Sequence, residues 1–540
     1  MFAAILVATM APGVLGAAIA RAQETAGQEA PRHTVEPALA TDAEASARLQ
    51  LTTEDSLALG ICEGAIQLFK QNPGAIWPGY DLAAMPFIYY VPDRWTLLLN
   101  RSEAVALFEP YPADWPPLGT EARLHRGPYE NLEGQLAFDL AVDSLQVAAV
   151  PFENKRPPVD RLAFVIHENF HQFQYHHFGE IPWEREELYP IDDRENTALA
   201  VLEMRLLADA LYAAKKNDAA ASTARVKEFI AVRNHRWNRS DPFVASYERG
   251  KELEEGTAKY VETRGLQLFA GLKYSSSIGE RAKPFPDGFE SFDPYDYILN
   301  EFLLRSKGES ISPEDMPRNR IYPVGCAQGL LLDFFGIDWK RKAQAAGPEF
   351  TFAALFEEYL DVPKSEFTTR LNAAKETYKY SAIAGATASL LREYRDGYQR
   401  ELMAFEDQTG YRFEVQLSAK NLTRSRSSSA KKWLVDRGAA ELRSHFDVYS
   451  LESASDRSLL LQVRGVGILE RNDWAAKTRA VVFFVPEAPA VVVNGVALAA
   501  GNTTAPFTSL EITGDHVKVT YEKAGTITRS DKRFVIDLIP

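Results

Sequence analysis

The sequence predicts an α+β chain in which an antiparallel-type sheet leads into a helical lobe, with a C-terminal all-β, sandwich-like domain after it. Three observations predict this. Short β-prone runs separated by Pro, Gly, Asn and Asp fill residues 87–150, apolar residues at helical spacing dominate after Pro158, and strand-length runs of Val, Leu, Phe and Tyr return beyond Gly410. The expected division is 1–22 signal peptide, 23–50 flexible linker, 51–155 mainly β subdomain, 156–408 helical unit and 409–540 β domain.

Residues 2–20 are apolar and small, and Ala20-Arg21-Ala22 offers an A-x-A cleavage site before Gln23. This reads as a secretory signal; an uncleaved membrane anchor is the alternative, because the stretch approaches spanning length. The mature chain is expected to be exported, periplasmic or extracellular, with no integral membrane segment. Composition fits a globular protein: 540 residues, 46% hydrophobic and 25% charged. A formal net charge of −14 argues against nucleic-acid binding and against docking on anionic lipid. Cys62 and Cys326 are the only cysteines, too few for a thiolate zinc site. One disulfide and two unpaired thiols both remain open.

A helix is predicted over Thr53–Gln71, with Leu59, Ile61, Ile66 and Phe69 on its buried side. Strands are predicted at Phe87–Val91, Trp95–Leu99, Val105–Phe108, Gln135–Leu140 and Leu145–Val150, and an edge of such a sheet can take an extended peptide by strand addition. A helix follows, with Asp160 as its N-cap and the apolar run Leu162–Ile166 as its buried part.

That helix carries His167-Glu168-Asn169-Phe170-His171. Residues four apart stack on one helix face, so both imidazoles point the same way and form a two-point metal clamp. Glu168 lies roughly 100° around the helix from His167, able to reach a metal-bound water without being a ligand, which suits a general base. His176 and His177 fall outside this register, next to Gly179, and read as surface or cleft residues. Glu203 interrupts the apolar face of a helix over Asn196–Ala214, either solvated at its margin or orienting a metal-bound histidine.

A catalytic zinc keeps three protein ligands and an open fourth position. Glu255, followed by the small Gly256, is the chosen third ligand, with Glu252, Glu254 and Glu262 as rivals. Glu255-Gly256-Thr257-Ala258 downstream of the paired histidines resembles the gluzincin metallopeptidases, whose H-E-x-x-H is completed by the Glu of E-G-x-A on a later helix. The resemblance implies Zn²⁺ held by His167, His171 and Glu255, with Glu168 as base. Tyr322-Pro323-Val324-Gly325 is similar to the Tyr-x-x-Gly of the aminopeptidase branch, which implies Tyr322 as donor to the oxyanion. Val150-Pro151-Phe152-Glu153-Asn154 looks like the loop by which that branch captures a free amine, without its glycine and nearer the motif helix; it implies Glu153 as a substrate-binding residue. The likeness runs over about 145–340 and is to the clan rather than to one family. A disulfide from Cys326 to Cys62 would brace the Tyr322 helix.

Helices resume over 351–403, and the β domain carries Asn494-Gly495 between apolar runs, a strong hairpin signal. The Ser/Arg-rich stretch Thr423–Lys432 is expected to be a loop. The expected function is zinc-dependent hydrolysis of a peptide or protein substrate. A non-catalytic exported binding protein on the same scaffold is the alternative.

Overall fold

The structure is a computed structural model that describes residues 50–538, apart from 130–131, 133–135, 153–155, 182–184, 273, 275–284, 286–290, 308, 419–421 and 454–457. The signal segment, the linker up to residue 49 and Glu153 therefore lie outside the described residues. The chain is a mixed α+β fold with a C-terminal all-β region of mainly antiparallel strands. Among the described residues no helix is long and apolar enough to cross a membrane.

Helix α1 (Thr53–Gln71) begins at a capping box in which Thr52 and Asp55 bond reciprocally, and Asp55 also takes the Trp95 indole N–H at 2.7 Å. Six strands follow: β1 (Phe87–Val91), β2 (Trp95–Leu99), β3 (Glu109–Pro110), β4 (Ala122–Arg126), β5 (Ala137–Val142) and β6 (Leu145–Pro151). They form one sheet in the order β3-β4-β2-β1-β6-β5, antiparallel except where β1 runs parallel to β6. β1 and β2 are buried along their whole length because the sheet is covered on both faces: Phe87, Tyr89 and Leu97 enter the main core, Ile88, Tyr90 and Leu98 a smaller one. Two-sided burial explains their unbroken apolar runs.

Val105–Phe108 is not a strand. It closes on itself through a single bridge, with Leu107 at φ +66° and exposed. β4 escaped notice in the sequence because only Ala122 and Leu124 of its five residues are buried; Arg123, His125 and Arg126 face partly outward.

Helix α2 (Pro158–His177) leaves the end of β6 and carries the paired histidines through the core. Asp160 is not its cap: the N-cap is Pro157 with no side-chain cap bond, and Asp160 sits in the first turn. The lobe continues with α3 (Arg194–Lys215), α4 (Ala219–Arg239), α5 (Pro242–Lys251), a π-helical turn at Glu252–Gly256, α6 (Thr257–Ala270), α7 (Pro294–Arg305) and α8 (Ile321–Phe334). A small hairpin, β7 (Ser306–Lys307) and β8 (Ser310–Ile311), joins α7 to α8. Helices α9 (Trp339–Ala346), α10 (Phe352–Leu360), α11 (Phe367–Thr377) and α12 (Tyr380–Glu406) complete the lobe.

The β region begins with β9 (Tyr411–Ser418), β10 (Leu422–Val435) and β11 (Ala440–Ser453). Thr423–Lys432 is thus strand and not loop: β10 pairs with β11 from Leu422↔Ser453 to Val435↔Ala440, and that long ladder outweighs a polar composition. Asn494 and Gly495 both take positive φ and close the Val493↔Val496 pair, as a tight hairpin requires. Apolar residues of α12, Tyr398 and Phe405, pack with Trp433, Leu442 and Phe484, which seats the sheet on the helical lobe.

The cysteines face different neighbours. Cys326 Sγ donates to Thr263 Oγ1 on α6 at 3.5 Å, while Cys62 lies beside Tyr89 and Tyr111; both are buried free thiols. Glu203 is not solvated, and the side chains it bonds are arginines rather than a histidine. It is fully buried, accepting from Arg233 at 2.8 Å and Arg236 at 2.6 Å in a charge network that includes Glu248, Glu252 and Arg320.

Burial pushes the Glu248 carboxyl up, but the Arg236 and Arg320 guanidinium groups outweigh it and hold it far below its ordinary 4.5. A depressed folded-state pKa contributes stability that is present above the unfolded value and lost as pH falls toward the folded one. Urea titrations should therefore show wild-type stability falling below about pH 4.5. Glu248→Gln should lose about 3–5 kcal/mol at pH 7 by stranding buried arginine charge, and should show a shallower loss in acid.

Candidate metal centre

His167 and His171 lie one turn apart on α2, ring centroids 4.9 Å apart and nearly perpendicular. The Glu255 carboxylate meets them from the π turn: its Oε2 is 3.4 Å from Nε2 of His167 and 3.4 Å from Nε2 of His171. The ligand atoms of these three residues all lie within 4.8 Å of one another. This is a possible metal-binding triad. At 3.4 Å the contacts are longer than good N–H···O hydrogen bonds. They match the edge of a tetrahedron, about 3.4 Å for metal bonds of about 2.0–2.1 Å.

Each imidazole is oriented through its other nitrogen. His167 Nδ1 faces Glu262 Oε2 at 3.2 Å, and Glu262 in turn accepts from Lys259 at 2.6 Å and Tyr297 at 2.9 Å. His171 Nδ1 faces Gln174 Oε1 at 2.7 Å. Donation from Nδ1 to these acceptors leaves the Nε2 lone pairs aimed at the space beside Glu255. The rivals to Glu255 are accounted for: Glu262 lies behind His167, Glu252 pairs with Arg233 at 2.6 Å, and Glu254 pairs with Lys251 at 2.6 Å.

Glu255 and Glu262 are seven residues apart, so one face of a helical run grips both edges of His167. The π turn is secured by Gln174, whose amide NH₂ reaches the carbonyls of Leu253 and Glu254 at 3.2 and 2.8 Å. Gly256 makes the close approach expected of it, but to α8 rather than to the motif helix. A Cβ on Gly256 would fall 2.7 Å from the Cα of Gly325, the glycine of Tyr-x-x-Gly.

That backbone contact brings Tyr322 to the triad, its ring stacked on His167 with centroids 5.8 Å apart and an interplanar angle of 22°. The Tyr322 hydroxyl accepts from Arg318 Nε at 3.2 Å, and Arg318 Nη2 donates to Glu255 Oε1 at 2.9 Å. Glu168 is fully buried, and neither carboxylate oxygen has a hydrogen-bond partner among the described residues; His167 Nε2 is likewise without one of good geometry. Orphaned buried polar atoms are what a ligand-binding centre leaves when only protein atoms are counted.

The carboxylates are shifted as such a centre needs; burial lowers the two imidazoles, but without an ion these carboxylates outweigh it and raise them, His167 to about 9. Burial raises the Glu255 carboxyl, but Arg318 and the two imidazoles outweigh it and hold it well below the usual range, as the anion a cation requires. Burial raises Glu168 against the pull of the same imidazoles, which moves a carboxylate toward the basicity a proton acceptor needs. Burial raises Glu262 too, and Lys259 overrides it, bringing the carboxyl to about 2. Of the three triad side chains His171 is the most exposed, at 10%.

His176 and His177 are exposed at the end of α2, clear of the triad. Sequence reasoning missed Gln174 and Arg318. The only signals for them were helical spacing, three residues after His171 and four before Tyr322. No family model, curated protein or solved structure matches the chain.

A methyl group on Gly325 would meet the Gly256 Cα at 2.5 Å. Gly325→Ala should destabilise the fold by about 1–3 kcal/mol through overpacking. By moving Glu255, it should also weaken metal binding in a chelator competition more than Gly385→Ala, a change at a helical site with nothing within 4 Å and no positive φ.

Proposed function

We propose that the chain is an exported zinc metallopeptidase of the gluzincin kind, hydrolysing peptide bonds of a peptide or protein substrate. The observation that carries the reading is one Glu255 oxygen 3.4 Å from Nε2 of both imidazoles, the three ligand atoms within 4.8 Å of one another, with the buried Glu168 carboxylate interacting with the same groups. Two imidazoles and one carboxylate also serve octahedral iron, but cis donors around such an ion with bonds of about 2.1 Å would stand about 3.0 Å apart. The two 3.4 Å contacts of Glu255 are compatible with the tetrahedral case. A hydrolase also uses a base at this position, which an iron oxygenase does not need.

His167, His171 and Glu255 would hold the ion. Zinc, when bound there, polarises the scissile carbonyl and lowers the pKa of a water to about 7. Glu168 takes a proton from the attacking water and returns it to the nitrogen as the C–N bond breaks, so the amine departs neutral. Tyr322, at the mouth of α8, donates its hydroxyl proton as a hydrogen bond to the oxygen that gains negative charge. Glu262 and Gln174 keep the two imidazoles in the Nδ1–H tautomer throughout.

The test is a digest of peptide libraries with free and blocked amino termini, with zinc content measured in parallel. Wild type should bind one zinc and cleave, and a chelator should stop it. Glu168→Gln should keep zinc and lose turnover; undiminished activity in that variant removes Glu168 as the base. Tyr322→Phe should retain zinc and lose about 3 kcal/mol of transition-state stabilisation, a drop of about 10²–10³ in kcat. Zinc bound without cleavage of any peptide would mark a binding protein.

A further inference from the structure

The Arg318 guanidinium is buried, and its three nitrogens serve three different groups. Nη2 donates to Glu255 Oε1 at 2.9 Å, Nε donates to the Tyr322 hydroxyl oxygen at 3.2 Å, and Nη1 lies 3.7 Å from Glu186 Oε2. One of these partners belongs to the triad and another is the proposed oxyanion donor. We propose that Arg318 is the positioning residue that sets the metal-facing carboxylate and the oxyanion-facing hydroxyl at a fixed separation from each other. The inference rests on the peptidase reading above.

At Glu255 the two oxygens have separate duties. Oε2 is the oxygen 3.4 Å from both imidazole nitrogens, and Oε1 is the one bonded to Arg318. A carboxylate pinned through one oxygen cannot turn both toward an ion, so it donates one atom. That keeps a fourth corner for water, as a catalytic site requires.

At Tyr322 the guanidinium governs direction. A phenol has one proton to give and accepts on its oxygen. Arg318 has no lone pair to receive that proton, so accepting from Nε turns the hydroxyl hydrogen away from the guanidinium. The ring, stacked on His167, fixes where the hydroxyl sits, and Arg318 fixes how it points. Both effects need a rigid planar fork. Lysine carries the same charge at a single nitrogen and cannot hold two partners at the fork's spacing.

Arg318 is also held from behind. Glu186, which faces Nη1, lies in the 185–189 segment, and Tyr189 of that segment accepts from Arg320 at 3.0 Å. Arg318 and Arg320, on the approach to α8, are thus both tied to one neighbouring segment.

The experiment is a cycle in the full chain: wild type, Arg318→Lys, Tyr322→Phe and the double variant, with Arg318→Gln as a second single change. Each is measured for kcat and KM on a cleaved peptide, for zinc affinity by chelator competition, and for folding by thermal melting. Arg318→Lys or Arg318→Gln, whichever folds, should lower kcat about 10–100-fold with little change in KM, and weaken zinc at least about 10-fold. The kcat loss should largely vanish in the Tyr322→Phe background, because both changes disable the same hydroxyl. A loss of the same size in both backgrounds, together with unchanged zinc affinity, would overturn the proposal. If wild type binds zinc but cleaves nothing, the peptidase reading fails by itself; the zinc comparison then decides the Glu255 arm, and unchanged affinity in the folded variant overturns it.

Discussion

Two helices can bring side chains to one triad only if something lets them come close, and here that is the direct contact between Gly256 and Gly325. Any side chain at either position would collide with backbone at 2.5–2.7 Å. Because backbone touches backbone, the residue before Gly256 and the residue three before Gly325 arrive at the same point: Glu255 beside the two imidazoles and Tyr322 stacked on one of them. The glycines do no chemistry. They remove the one steric barrier that would keep Tyr322 a side chain's width from the triad.

Close approach would be of little use if the polypeptide around it could relax, and the buried charges restrain it. Arg233, Arg236 and Arg320 are matched by Glu203, Glu248 and Glu252, all at most 2% exposed. Such a network is not strongly stabilising compared with a well-packed apolar core, but it specifies one arrangement because each charge strands another if it moves. Its members are placed where that matters: Glu252 starts the π turn that carries Glu255, and Arg320 stands two residues before Tyr322. The β region grips the same place from outside. The β10–β11 turn lays Arg437 against the Leu188 carbonyl at 3.3 Å and against Asp241 at 2.9 Å, and a Cβ on Gly438 would fall 2.8 Å from the Glu187 carbonyl. The segment so held is the one that supplies Glu186 and Tyr189.

The sequence made the triad legible because its members obey short-range rules. His167 and His171 follow helical spacing, and the glycine next to Glu255 announces a close contact, although its partner turned out to be Gly325 on α8 rather than the motif helix. α1, β1 and β2 were legible for a similar reason, since their apolar runs are bounded by turn residues. What stayed hidden depends on distant neighbours. Glu203 interrupts an apolar helix face and reads as solvated until Arg233 and Arg236 arrive from another helix. β10 reads as loop until β11 offers it a ladder, and β4 has too few apolar residues to announce itself. Glu262 could be named as an acidic candidate, but whether it faces an ion or the back of an imidazole is decided by where α2 crosses α6.

Glu168 is where these constraints meet chemistry. Burying a carboxylate without hydrogen bonds is costly, and folded proteins keep such groups where some function holds them. Neither oxygen of Glu168 has a partner among the described residues, although Gln174, Glu262 and Arg318 show that the same surroundings satisfy other polar groups with care. The consequence is a carboxylate with no competing donors among the described residues, its basicity raised by burial, interacting with three side chains whose ligand atoms lie within 4.8 Å of one another. A purely structural helix would gain from an apolar residue there. A water-activating one needs the acid left unsatisfied by the protein so that its hydrogen bond goes to the nucleophile instead.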